Sequence, residues 1–251
     1  SFKKEELITG AVEIALSAEE RIRHIAITTG NIVDYDYTFD HYIALGNALE
    51  PITSQHEISD VLATLMPPND QNKIAQLSET VFNKIYFPIE VYKRDLFEVV
   101  CPGKASFGYD TIIDSLTTSF TSFSRGNVYT NLVYGIQSLD LNMSAKSYSP
   151  TLENERALAA TKELLARGII PAFTLYHYGG YNSIGQIELD YESTLDFFLE
   201  WGELVFNSGL VEADKMGVIF GPNSLTNTLY NDTYRLAKTH ATQSKEELVL
   251  R

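Results

Sequence analysis

Leu165-Ala166-Arg167-Gly168-Ile169-Ile170-Pro171-Ala172-Phe173-Thr174-Leu175 joins two kinds of periodicity across one glycine. Upstream, residues 152–167 read as a long helix entered after Pro150. Gly168 sits just past the helix end, where a left-handed cap favours a residue without Cβ. The apolar, partly branched run 169–175 reads as a buried strand. Helix, tight turn and strand together form half of a βαβ unit.

The same alternation extends in both directions. Residues 5–17 place Leu7, Ile8, Ala11, Val12, Ile14 and Ala15 at helical spacing, and His24 to Thr29 form a short strand closed by Gly30-Asn31. A helix over 37–49 follows. The run 58–66, stopped by Pro67-Pro68, reads as a strand although its spacing also permits a helix. Asn69-Asp70 can cap a helix reaching about residue 82. Residues 84–92 read as a strand with Pro88 at its end or at a bulge. A helix starts near Arg94, Pro102-Gly103 breaks it, and a further helix covers 110–123. Strand 127–135, the helix and strand around Gly168, an amphipathic helix over 190–206 and an apolar run at 217–220 complete the order. Such alternation predicts an α/β fold of parallel strands joined by covering helices, either a barrel or an open doubly wound sheet. The expected organisation is one domain over 1–220 and an extension or tail over 221–251.

Composition narrows the function. The 251 residues carry 33 acidic against 19 basic side chains, a formal charge of −14, which disfavours nucleic-acid binding through bulk positive charge. The hydrophobic fraction of 44% supports a substantial core rather than a disordered acidic chain. One cysteine, Cys101, excludes an intrachain disulfide and a cysteine-rich metal site within this polypeptide, so the chain reads as cytoplasmic. No apolar run is long enough for a membrane helix. The expected partner is a small-molecule substrate.

In parallel α/β folds ligands gather beyond the carboxyl ends of the strands. Thr28-Thr29-Gly30-Asn31 there offers backbone groups to a ligand terminus, or is an ordinary turn with Asn31 or Asp34 capping the next helix. In Glu90-Val91-Tyr92, alternation places Glu90 and Tyr92 on one face, where the carboxylate can bind a diol or ammonium, or pair with Lys93 or Arg94. Lys104 is no phosphate-loop lysine, because Glu98 stands where that loop needs glycine. Gly135 within Tyr134-Gly135-Ile136-Gln137 marks close approach by a ligand or by packing. Tyr176-His177-Tyr178-Gly179-Gly180-Tyr181 forms an active-site rim, or His177 is a structurally satisfied histidine. Asp34, Asp36 and Asp40 do not fit a calcium loop and read as a solvated helix start. Cys101, with no activating histidine nearby, reads as incidental.

In their order and spacing, three segments resemble the radical S-adenosylmethionine superfamily, particularly its biotin-synthase-like and methanogen-cofactor-related branches. These are Ile89-Glu90-Val91-Tyr92-Lys93-Arg94-Asp95-Leu96-Phe97 with Cys101-Pro102-Gly103-Lys104, then Gly126 through Gln137, then Leu165 through Pro171. The resemblance covers most of the chain from Glu5 to about Trp201. It implies a partial (β/α) barrel, TIM-barrel-like but without its first strand, with S-adenosylmethionine across its open top. It also implies cofactor contacts. Thr29, Gly30 and Asn31 match the turn that holds the methionyl amino group, Glu90 a polar position near the ribose and methionyl end, and Asn131 a polar position on the next strand. Gly135 and Ile136 match the segment beside adenine, and Tyr176 and His177 the last-strand rim. Gln137 stands where many relatives carry Glu and is assigned no charged role.

Members of that superfamily use a [4Fe-4S] cluster, held by three cysteines usually spaced Cys-x3-Cys-x2-Cys, to generate a 5′-deoxyadenosyl radical that abstracts hydrogen from substrate. This chain has no such motif. In the family the motif precedes the first helix, and here the sequence opens at that helix on Ser1. Two expectations follow: a truncated piece of a complete enzyme, or a degenerate binding protein that keeps the cofactor surface without the redox centre. Either way, reductive cleavage is not expected of the chain alone. An unrelated barrel hydrolase or lyase using Glu90 and His177 is a further alternative.

Overall fold

The computed structural model describes residues 5–18, 22–30, 34–140, 148–178 and 184–211, together with Thr233, Leu236 and Thr239. Among the described residues these elements follow in order: α1 (Glu5–Ala18), β1 (His24–Thr28), α2 (Tyr35–Gln55), β2 (Asp60–Thr64), α3 (Asn72–Ser78), β3 (Lys84–Tyr86), α4 (Arg94–Val100), α5 (Pro102–Ala105), α6 (Tyr109–Phe123), β4 (Val128–Tyr134), α7 (Pro150–Ala166), β5 (Ile170–Leu175) and α8 (Tyr191–Ser208). The five strands form a parallel sheet in the order β1-β2-β3-β4-β5. Among the described residues chain order equals spatial order, without the strand reversal of a doubly wound sheet, which is consistent with a partial barrel-like α/β fold.

Contacts divide the chain into two compact units, Ser1–Pro88 with Ile112–Tyr129, and Ile89–Thr111 with Thr130–Arg251. In the first unit α2 continues through Pro51, beyond the expected end near residue 49. A proline removes one intrahelical hydrogen bond, but its φ suits a helix, and a helix near its end tolerates the loss. Asp34 caps α2, its Oδ1 accepting from Tyr37 N at 2.9 Å. The run 58–66 is a strand at its centre, and α3 is shorter than expected, ending at Ser78 before a turn that buries Phe82 completely. Phe39, Tyr42, Leu45 and Leu49 give α2 its buried face.

In the second unit, α7 and α8 pack against each other, and α7 against β5. Tyr134 stacks on Phe197 at 4.7 Å between ring centroids, Phe173 meets the same ring edge-on at 4.8 Å, and Trp201 Nε1 donates to Pro171 O at 3.0 Å. Ser149 caps α7, Asp190 caps α8, and Gly209 ends α8 in the left-handed conformation. Gly168 also has positive φ, as the turn required. Of the expected extension over 221–251, only Thr233, Leu236 and Thr239 are described; Thr233 is buried, with its backbone closely apposed to Gly202 of α8. The run 217–220 lies outside the described residues.

Candidate functional site

The expected strand over 84–92 is interrupted. β3 ends at Tyr86, Pro88 intervenes, and pairing resumes as a single parallel bridge between Glu90 and Leu132. Glu90 N donates to Asn131 O at 2.8 Å, and Val133 N to Glu90 O at 2.8 Å. Between those bonds Glu90 has φ +62°, a conformation that costs an L-residue on the order of 1 kcal/mol and concentrates at ligand sites.

That backbone turn aims the Glu90 carboxylate into a polar cluster wholly within the second unit. Oε1 is 2.8 Å from Lys104 Nζ, while Oε2 accepts from Asn131 Nδ2 at 3.0 Å. Asn131 Oδ1 in turn accepts from Thr174 Oγ1 at 2.8 Å. The chain Lys104, Glu90, Asn131, Thr174 thus runs from α5 across β4 to β5. Glu90 keeps 29% of its side chain exposed and Thr174 is open to solvent, so the cluster is accessible. Two expectations about Glu90 are corrected. Its cation is Lys104, because Lys93 pairs with Asp95 and Arg94 with Asp110. It also does not share its surroundings with Tyr92, since the left-handed residue breaks strand alternation; Tyr92 instead lines a separate cavity with Gln137 and Arg156.

The segment after β4 is held by a residue that the sequence reading passed over. Glu153, fully buried in the first turn of α7, accepts from Gly135 N at 2.6 Å, Gln137 N at 3.2 Å and Ser138 N at 2.7 Å. Burial drives its carboxyl above the usual range against these three donors. Gly135 has φ +109°, and a Cβ there would lie 2.6 Å from Leu189 Cδ2 and 3.1 Å from Tyr176 Cβ. Ile136 is buried at 2% exposure. Gln137 spends its amide on backbone, accepting from Tyr92 N and donating to Glu90 O and Val133 O.

Tyr176 follows β5 and donates to Gly185 O at 2.6 Å, while His177 is exposed. Cys101 is half-buried, and burial, helped by the nearby Glu90 charge, pushes its thiol up to about 11. In the first unit, Thr29 N donates to Thr64 O at 3.3 Å, Tyr42 donates its hydroxyl to the same Thr64 O at 3.2 Å, and Gly30 is exposed. Asn31 and Tyr181 lie outside the described residues. Asp36 accepts from Asn69 and Asp70 N, and Asp40 pairs with Lys73, so the acidic cluster organises neighbouring turns. Among the described residues, no group of three or more His, Cys, Asp or Glu side chains is placed to hold a metal ion. Nor is any described helix long and apolar enough to cross a membrane.

The structure therefore brings Glu90 and Asn131 into one cluster and adds Lys104 and Thr174, for which local spacing gave no signal. Compared with known proteins, the chain matches no family model and no curated sequence.

Proposed function

We propose that the second unit binds S-adenosylmethionine, or a closely related adenosyl ligand, as the cofactor-binding portion of a protein of the radical S-adenosylmethionine type. The observation that carries this reading is the accessible Glu90 and Lys104 ion pair beside Asn131, at two positions to which the resemblance assigns cofactor contacts. The methionyl end of the ligand is a zwitterion. Its ammonium suits the Glu90 carboxylate and its carboxylate suits the Lys104 ammonium, so the ligand exchanges one internal ion pair for two charge-assisted contacts. The ribose hydroxyls suit Asn131 and Thr174, which offer both donors and acceptors. A left-handed Glu90 fits this role, because the conformation is retained where it aims a side chain.

The residues of this chain do not fit a [4Fe-4S] cluster. Three thiolates are needed, and the sequence holds one cysteine whose thiol is held protonated by its surroundings. The contribution derived for this chain is accordingly binding and orientation, with no electron-transfer step.

Calorimetric titration of the 251-residue chain with S-adenosylmethionine, and separately with S-adenosylhomocysteine, tests the proposal. The expected result is saturable binding of both at roughly micromolar affinity, weakened about tenfold in Glu90→Gln. Absence of saturable binding of either compound, or equal affinity in Glu90→Gln, overturns it.

A further inference from the structure

A second pocket lies in the same unit, distinct from the Glu90 cluster. Tyr92, Lys93, Gln137, Arg156, Ala159, Ala160 and Glu163 enclose about 340 Å³, within the range of small-molecule sites. One wall is a single face of α7: Arg156, Ala159, Ala160 and Glu163 stand at successive helical spacings of three, four and seven residues. The exposed Ala159 leaves room where a larger side chain would fill the groove, while Ala160 is buried. Tyr92 and Lys93, just before α4, also line the pocket.

The charges of this pocket are unevenly committed. Glu163 pairs with Arg167 at 3.0 Å. Lys93 pairs with Asp95 at 2.8 Å. Arg156 is half-buried, and its Nη1 donates to Gln137 O at 2.9 Å, which fixes the guanidinium at the pocket wall. Among the described residues it has no carboxylate partner, in a chain where acids outnumber bases by 33 to 19. An anchored guanidinium with donors remaining, next to a tyrosine ring and the exposed Ala159, is built for a planar anion carrying an apolar body.

We propose that this pocket binds a small organic carboxylate, its carboxylate on the free edge of Arg156 and its apolar part against the Tyr92 ring and the exposed Ala159 methyl. The site is independent of the adenosyl-ligand reading and stands or falls separately.

The experiment is ligand-observed fluorine NMR on the full chain with 4-fluorobenzoate, using 4-fluorobenzyl alcohol as the neutral isostere. Saturable binding of the acid is expected, about tenfold or more tighter than that of the alcohol, because only the acid gains the charge-assisted contact. Arg156→Gln should lower acid affinity by about the same factor, and Arg156→Lys, which keeps charge but loses the planar fork, should recover part of it. Ala159→Trp fills the pocket from an exposed position without touching the bond from Arg156 to Gln137, and should abolish binding with thermal unfolding unchanged. Equal binding of acid and alcohol, no saturation by the acid, or binding retained in Ala159→Trp each overturns the proposal.

Discussion

Lys84 Nζ lies 2.7 Å from Asp60 Oδ1, with both side chains largely out of solvent at 4% and 12% exposure. The two residues open β3 and β2, and His24, which opens β1, reaches the other Asp60 oxygen at 2.9 Å. One carboxylate thus ties together the amino ends of three neighbouring strands of the first unit.

Breaking that pair from one side should be costly. Lys84→Met leaves a buried carboxylate without its main cation and is expected to lower unfolding free energy by about 3 kcal/mol. Asp60→Asn in the same background removes the orphaned charge and should recover part of the loss. Urea unfolding of the two variants measures both, and a double variant no more stable than Lys84→Met would show that charge burial is not the cause.

Asp60 also sets an acid limit. Burial alone would raise its pKa, but hydrogen bonds from Lys84 and Ser59, with the charges of Lys84 and His24, hold it below the ordinary 3.8. A depressed folded-state value means that its stabilisation is complete above the unfolded pKa and is lost as pH falls through the folded one. Stability measured by urea titration should therefore drop below about pH 4, and drop less steeply in Asp60→Asn.

Glu153 works in the opposite sense. Its folded-state pKa is raised by burial, so the folded state holds the proton more tightly, and its contribution falls as pH rises from the unfolded value of 4.5 through the folded one. Glu153→Gln should flatten that slope. It should also destabilise the fold by about 1–3 kcal/mol, since an amide cannot accept from all three N–H groups with both of its ends. A pH-stability profile identical to that of the parent chain would contradict the assignment.

Much of this architecture is written locally in the chain. Gly168 after α7, Asp34 before α2 and Asp190 before α8 mark element ends through short-range hydrogen bonding and backbone conformation, which composition and spacing reveal. The stretch from Lys84 to Tyr92 misleads because its apolar pattern looks continuous, while Pro88 and a left-handed Glu90 divide it. Alternation then assigns Tyr92 to the wrong surroundings. Partner choice at Glu90 is equally hidden. Lys93 and Arg94 are nearer in sequence, but each is drawn to an aspartate of its own, and Lys104 arrives only after α4 and α5 have turned the chain. Glu153 reads as an ordinary acidic residue in a first helical turn until the backbone after β4 is placed against it.

Cys101 should react sluggishly. With its thiol pushed up to about 11, the thiolate fraction near pH 8 is far below that of an ordinary cysteine. Modification by a disulfide reagent is expected to run about tenfold or more slower than in the urea-unfolded chain. A rate matching the unfolded protein would mean that neither burial nor the Glu90 charge governs this thiol.

Two glycines separate steric crowding from backbone strain. At Gly46 a Cβ would lie 2.4 Å from Thr80 Oγ1 and 2.7 Å from Thr80 Cβ, atoms of a short, stiff side chain. At Gly135 the nearest atom is the far end of Leu189, which can swing away, but φ is +109° whatever the space. Both Gly→Ala changes should destabilise by about 1–3 kcal/mol, for different reasons. Removing the neighbour distinguishes them: Thr80→Gly should rescue much of Gly46→Ala, whereas Leu189→Ala should rescue little of Gly135→Ala. Double-mutant cycles therefore should give a coupling of about 1 kcal/mol or more for the first pair and much less for the second. Strong rescue at Gly135 would place the cost in Leu189 contact and remove backbone conformation as the reason for glycine beside the Glu153 cage.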